Sequence, residues 1–256
     1  MKCLILFFSI GITFSSFAQD LSPTTKKGKV YSHEYYSFSY TEQYEQPEWT
    51  FHLVCKLCFG EEKRKNNFRP DKSILTGSAQ LSDYKGSGYD RGHLVPAGDM
   101  TRNTIAMSES FFMSNMSPQD PSFNRGIWRK LESQIRKWSL DQDTIYVVTG
   151  PIIRSPYKKI GANDVAVPHS YFKALYFKNS GKMCAFILPN QGSKQPLSIF
   201  QCSIDKLELV SGLDFFHRIP NNLENRLESI NPVLVYDLQK KRVTHTRSSC
   251  LITYNL

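Results

Sequence analysis

Two runs of aromatic and aliphatic residues, 171–177 and 183–188, flank the short spacer Asn179-Ser-Gly-Lys182. A glycine-bearing spacer of this length between strand-like runs predicts a β-hairpin. Two neighbouring antiparallel strands are thereby fixed, and the rest of the chain must fold around them. Thr144-Ile-Tyr-Val-Val-Thr149 predicts a further strand, closed by Gly150-Pro151. Residues 49–54 look strand-like too. Residues 31–40 alternate aromatic and polar side chains, as a strand or an extended aromatic segment does.

Between these strands the period changes. Ile127, Trp128, Leu131, Ile135 and Trp138 recur at helical spacing, with Arg129, Lys130, Glu132 and Arg136 between them. Ser122 and Asn124 are the candidate caps. The two prolines of Ser117-Pro-Gln-Asp-Pro-Ser122 predict a loop ahead of the helix. Short helices are expected at 204–209 and 222–228. There is no internal repeat and no low-complexity linker. The simplest reading is one α+β domain over residues 28–245, followed by a tail at 246–256, in a chain long enough to bury a large core.

The N-terminus carries a different signal. Lys2 is the only charge before Asp20, residues 4–17 are apolar or small, and Ser16-Phe-Ala18 offers a cleavage site. This is the pattern of a secretory signal peptide over residues 1–18. A membrane span needs about 20 apolar residues, and no segment reaches that length. The expected product is secreted or periplasmic, with residues 19–27 as a flexible start. Cys55, Cys58, Cys184, Cys202 and Cys250 follow the cleavage point, an odd number for an oxidising compartment. Cys55-Lys-Leu-Cys58 is open to three readings: a local disulfide, free thiols or a redox pair.

The net charge of +9 points to an anionic partner: nucleic acid, anionic lipid or another acidic polymer. The histidines, at 33, 52, 93, 169, 217 and 245, form no zinc-type pair. No Gly-x-Ser-x-Gly nucleophile motif is present. What stands out is Gly86-Ser-Gly-Tyr-Asp-Arg-Gly-His-Leu-Val-Pro-Ala-Gly-Asp-Met100. It sets an acid, a fixed cation and a proton acceptor among glycines that permit sharp turns.

Downstream, Asn115, Asn124 and Glu132 lie in Met113-Ser-Asn-Met-Ser-Pro-Gln-Asp-Pro-Ser-Phe-Asn-Arg-Gly-Ile-Trp-Arg-Lys-Leu-Glu132. Together with Tyr89-Asp-Arg-Gly-His93, this run resembles the DNA/RNA non-specific endonuclease family, which includes secreted sugar-non-specific nucleases and endonuclease G. Asn67-Phe-Arg-Pro-Asp71, Phe186-Ile-Leu-Pro-Asn190 and Gly212-Leu-Asp-Phe-Phe216 extend the resemblance over nearly all of the chain after the signal. It implies a ββα-metal finger core within a mixed, largely antiparallel sheet flanked by helices. By the same resemblance His93 is the general base, Asn124 the direct ligand of a divalent metal, and Glu132 the holder of metal-bound water. Arg69 and Arg91 contact phosphate and transition state, while Asp90 and Asn115 support the site. The cofactor implied is Mg²⁺, with Mn²⁺ or another divalent cation as alternatives. The partners are DNA and RNA through their backbones, with room for a homodimer. The Cys55-x-x-Cys58 pair departs from the family pattern.

The residue types suit phosphodiester hydrolysis. Neutral imidazole accepts a proton from water near neutral pH. Mg²⁺ commonly takes only one or two protein oxygens and keeps several waters. Arginine matches phosphate oxygens. One difficulty is geometric. On a regular helix, residues eight apart rise about 12 Å and rotate about 80° past full turns, so Asn124 and Glu132 diverge unless the helix starts irregularly. The alternative reading is a catalytically inactive nucleic-acid-binding module of the same fold. A thiol-redox protein would account for Cys55 and Cys58 and for none of the other motifs.

Overall fold

The computed structural model describes residues 21–141 and 144–229. The signal-peptide segment, the tail at 246–256 and Cys250 lie outside the described residues. The main sheet has seven strands: β1 (Lys29–Ser32), β2 (Tyr36–Thr41), β3 (Gln46–Val54), β6 (Ile145–Ile152), β9 (Ser170–Phe177), β10 (Lys182–Pro189) and β11 (Gln201–Cys202). They lie side by side in that same order. Every pairing among them is antiparallel. The expected hairpin is β9–β10, with Phe177 opposite Lys182 and Gly181 at positive φ in the turn. β6 continues through Gly150-Pro151, where the sequence predicts its end. Pro151 still pairs across to Tyr171 on β9.

Alternate residues of the strands face opposite sides, because strand side chains have a period of two. Val147, Tyr171, Leu175, Phe186 and Leu188 face a helix, α4 (Arg129–Leu140), whose Leu131, Ile135 and Trp138 complete the first core. The other face, with Phe51, Tyr146, Val148, Phe172 and Ala185, is covered by α5 (Ile204–Ser211) and α6 (Asn221–Glu228). Small helices α1 (Leu81–Tyr84) and α2 (Thr104–Glu109) belong to the long crossover between β3 and β6. A two-stranded ribbon of β7 (Lys159–Ile160) and β8 (Val165–Ala166) follows β6. Of the residues expected to be a flexible start, Thr24, Lys26 and Lys27 are tied down. The backbone of Lys26 and Lys27 donates to Glu48, and the Trp49 indole donates to Thr24 O.

The crossover also holds a second antiparallel ribbon, β4 (Asp90–His93) with β5 (Met116–Gln119). The prolines of 117–122 predict a loop, yet the first half of that segment is β5. Pro118 is tolerated because a two-stranded ribbon has outer edges where no N–H is required. The Tyr171 hydroxyl of β9 donates to Pro118 O at 2.8 Å and docks the ribbon on the main sheet. Helix entry also differs from expectation. Asp120, not Ser122 or Asn124, is the cap: its carboxylate accepts from the Ser122 and Phe123 amides, and Pro121 opens the one-turn helix α3 (Pro121–Phe123). Among the described residues no helix is long and apolar enough to cross a membrane.

Candidate active site

Arg91 and His93 are two apart on β4 and so project to one side of the ribbon. Gly92 between them lies against Gln119 of β5. A Cβ there would overlap the Gln119 side chain, so only glycine fits. Phe68, from the loop of residues 61–72 that carries Lys63, Arg64, Lys65, Arg69 and Lys72, links the two neighbours. Its ring lies 4.3 Å beneath the Arg91 guanidinium and 5.7 Å from the His93 imidazole. Phe111 meets the same imidazole edge-on at 4.8 Å.

His93 is 9% exposed, and its Nε2 is buried without a hydrogen-bond partner. Burial, reinforced by the positive charges of Arg64 and Arg91, pushes its pKa down to about 3. The ring is therefore neutral throughout the ordinary pH range, in the form that accepts a proton. An anionic phosphate beside Arg64 and Arg91 would offset their charge and raise its basicity.

Asn115 does not reach the cleft. Its buried amide accepts from Val95 N and donates to Val95 O and Ser110 O, while its backbone carbonyl accepts from Leu94 N. These bonds fix the chain as it leaves His93. Asp90 stands at the start of β4. Asn124 Nδ2 donates to its Oδ2 at 2.9 Å, and Arg125 binds both oxygens, at 2.9 and 2.6 Å. Burial works to raise the Asp90 pKa, but these bonds outweigh it and hold the carboxylate ionised.

The helix that bears Asn124 is not regular. After α3, residues Asn124–Trp128 form a π-helical turn, and Gly126 breaks the helical dihedrals at φ −105°, ψ −109°. Regular helix resumes at Arg129. This kink removes the geometric conflict, and Asn124 and Glu132 line one cleft of about 500 Å³ with Asp90, Arg91 and His93. β4, β5 and α4 thus form the expected ββα unit.

Glu132 does not pair with Arg136 four residues on, the bond a regular helix surface would offer. Arg136 donates instead to Asp99 Oδ1 at 2.7 Å, and His52 Nε2 contacts Asp99 Oδ2 at 3.0 Å. Burial raises the Glu132 pKa, opposed by the positive charge of Lys173. Lys173 itself is 1% exposed. Its Nζ donates to Thr149 Oγ1 at 2.8 Å and lies 4.7 Å from the Trp128 ring centre. The donor set suits a hard cation. With its nitrogen committed to Asp90, Asn124 presents an amide oxygen, and Glu132 adds a carboxylate that a cation would keep ionised.

Arg69 lies elsewhere. Its guanidinium donates to Asn67 O, Ser108 O and Ser108 Oγ and stacks 3.9 Å over Phe112. It is not among the residues that line the cleft. The arginine of that loop which does line it is Arg64, alongside Arg125, Arg129 and Arg136. Sequence reasoning singles out neither Arg64, one of several charges in its loop, nor Lys173. Nothing in the run 171–177 signals that its one charged residue turns inward. Cys55 and Cys58 form a local disulfide, while Cys184 and Cys202 are free.

Comparison with known proteins identifies the family and the fold. The DNA/RNA non-specific endonuclease family model matches residues 15–222. The mitochondrial nuclease EXOG of Homo sapiens is 32% identical over 227 residues, covering 80% of this chain and 62% of its own. A nuclease of Nostoc sp. is 31% identical over 210 residues, 76% of this chain and 75% of its own. A solved EndoG/EndoGI complex, described as revealing the mechanism of EndoG inhibition, has a chain that superposes with a TM-score of 0.74. The match is at 30% identity over 84% of this chain and 95% of that one. The chain spans 58–65% of the length of the Mus musculus, Homo sapiens and Danio rerio EXOG proteins. Motif, fold and family model coincide: the chain belongs to the DNA/RNA non-specific endonuclease family.

Proposed function

We propose that this chain is a metal-dependent endonuclease that hydrolyses phosphodiester bonds of DNA and RNA with little sequence preference. The observation that carries the reading is the convergence of His93, Arg91, Asn124 and Glu132 on one cleft. His93, held neutral by burial, takes the proton of the attacking water through its imidazole. Arg91, braced on Phe68, and Arg64 bind the phosphate and shield it from the incoming oxygen. Asn124 would hold a divalent cation directly and Glu132 would hold it through water, with Mg²⁺ as the cation best suited to so few protein ligands. When bound, such a cation would supply charge neutralisation at the leaving 3′-oxygen; departure of the 3′-oxygen from phosphorus leaves 5′-phosphate ends. Asp90 positions Asn124 and Arg125, and Asn115 fixes the backbone behind His93. Arg69, outside the cleft, secures its loop to Ser108 and Phe112.

Backbone phosphates, not base edges, are the recognised feature. The cleft is lined by several arginines, which suits contacts without sequence information. The apolar N-terminal run supports export with cleavage near Ala18, although the EXOG relatives are named mitochondrial. Incubating the mature chain with plasmid and with RNA, in Mg²⁺ or in chelator, tests the reading. Cleavage of both substrates in Mg²⁺ alone is expected. Binding without cleavage would instead assign an inactive nucleic-acid-binding module.

A further inference from the structure

The sheet face opposite the cleft carries a second concentration of charge. There α5 and α6 bury Ile204, Leu207 and Leu227 against Phe215 and Phe216. Asp205 and Glu208 stand three apart on α5, one turn along the same side. Glu228 is the last residue of α6. One carboxylate oxygen from each of the three lies within 4.8 Å of the others. A second observation is independent of that proximity. Glu228 is only 6% exposed, and its Oε1 is shut off from water with no hydrogen-bond partner. We infer that Asp205, Glu208 and Glu228 form a second cation site, of the calcium class, that clamps α5 to α6.

A buried carboxylate with neither a partner nor water is costly. Like charges beside it make matters worse. Besides burial, the groups that act on Glu228 are Glu208, Glu224, Asp205 and Asp214, all of them acids. Among the described residues, none of these five carboxylates is in an ion pair. Lys26 reaches the end of α5 but has its Nζ on Ser211 O, and Lys206, next to Asp205 on α5, is in no ion pair among the described residues. Two states relieve such a cluster: a proton on Glu228, or a cation shared by the three side chains. Cation binding then displaces the proton.

The ligand types select the cation. The cluster has no imidazole or thiolate, so it is a poor match for zinc. All-oxygen carboxylate ligation, with adaptable coordination number, is calcium chemistry, whereas Mg²⁺ dehydrates reluctantly and keeps its waters. Glu208 also accepts the Phe215 amide at 2.8 Å. The site would therefore brace the turn after α5 that delivers Phe215 and Phe216 to the core. Basic residues beyond position 229, Lys240, Lys241, Arg242 and Arg247, are the rival occupants.

The test uses the full mature chain carrying Asn124→Ala, which removes the proposed cleft ligand. Thermal melting and calorimetric titration are run with CaCl₂, with MgCl₂ and with chelator. The expected result is calcium binding that raises the melting temperature, with weaker binding of magnesium. Asp205→Asn and Glu228→Gln should each weaken calcium affinity at least tenfold. In the chain with Asn124 intact, the same two substitutions should leave Mg²⁺-dependent cleavage unchanged. Should Glu228→Gln not fold, the exposed Asp205→Asn carries the test alone. Absence of calcium binding overturns the site. So does binding that survives both substitutions, or a melting temperature that responds to salt and to removal of the basic tail but not to calcium. If Asn124 is not the cleft ligand, a second calcium equivalent appears that ignores Asp205 and Glu228, which separates that failure from this one.

Discussion

The side-chain amide of Asn124 donates to Asp90 at 2.9 Å, and Arg125 closes on the same carboxylate from the other side. Asp90 therefore decides which end of the Asn124 amide faces the cleft. Asp90→Ala should leave the ligand oxygen free to rotate away. Loss of an orienting partner of this kind typically costs 10- to 100-fold in metal affinity. Cleavage measured against Mg²⁺ concentration should shift by about that much for Asp90→Ala and further for Asn124→Ala. Unchanged curves for both would remove this pair from the metal site.

Arg64 and Arg69 come from one basic loop but end in different places. Arg64 lines the cleft, whereas Arg69 is engaged by Ser108 and Phe112. Removing one cation that neutralises a duplex phosphate should lower the slope of log affinity against log salt by about 0.9. For an inactive variant, Arg64→Ala should show this change equally on unrelated sequences, and Arg69→Ala should instead lower the melting temperature. The reverse pattern would assign the phosphate to Arg69. A strong preference for one sequence would contradict backbone recognition altogether.

How far these placements can be read from sequence depends on the range of the forces that set them. The Leu131, Ile135 and Trp138 stripe is legible because burial repeats with the helical period. The β9–β10 hairpin is legible because its turn is local. The strand character of Met116–Gln119 is not, since two prolines argue for a loop and only the pairing with Asp90–His93 overrides them. From sequence, the convergence of Asn124 and Glu132 presents itself as a conflict. It resolves through the π-helical turn and the break at Gly126, which no side-chain pattern encodes. Lys173 is invisible for a similar reason: its burial is set by Thr149 and Trp128, which reach it through the tertiary fold.

The burial of His93 has a consequence for acid stability. Its folded pKa of about 3 lies below the ordinary histidine value of about 6.5. Between those values the unfolded chain takes up a proton that the folded chain refuses. The contribution of His93 to stability is thus intact above about pH 6.5 and falls as pH drops toward 3. The slope is about 1.4 kcal/mol per pH unit. Denaturant unfolding at pH 7 and pH 4.5 should show the parent losing about 2.6 kcal/mol more than His93→Ala. His52, also pushed down by burial, is common to both and cancels. Equal losses would mean that His93 is not held neutral by its surroundings.

The same residue offers the most direct test of the chemistry. His93 lies between Phe68 and Phe111, beside Arg91, with a backbone held by Asn115. None of these supports depends on the imidazole as a cation, because the ring is neutral. His93→Ala should therefore leave the arginine-lined cleft and the Asn124–Asp90 bond in place while removing the proton acceptor. Loss of a general base typically costs about 10²- to 10⁴-fold in rate. Single-turnover cleavage of plasmid should fall by that factor, and affinity for uncleaved DNA, measured in chelator, should change much less. Circular dichroism checks that the variant is folded. Cleavage at nearly the parent rate would make His93 a packing residue and leave the cleft without a base. A fall in DNA affinity that matches the fall in rate would make it a binding residue, and another group in the cleft would have to take the proton.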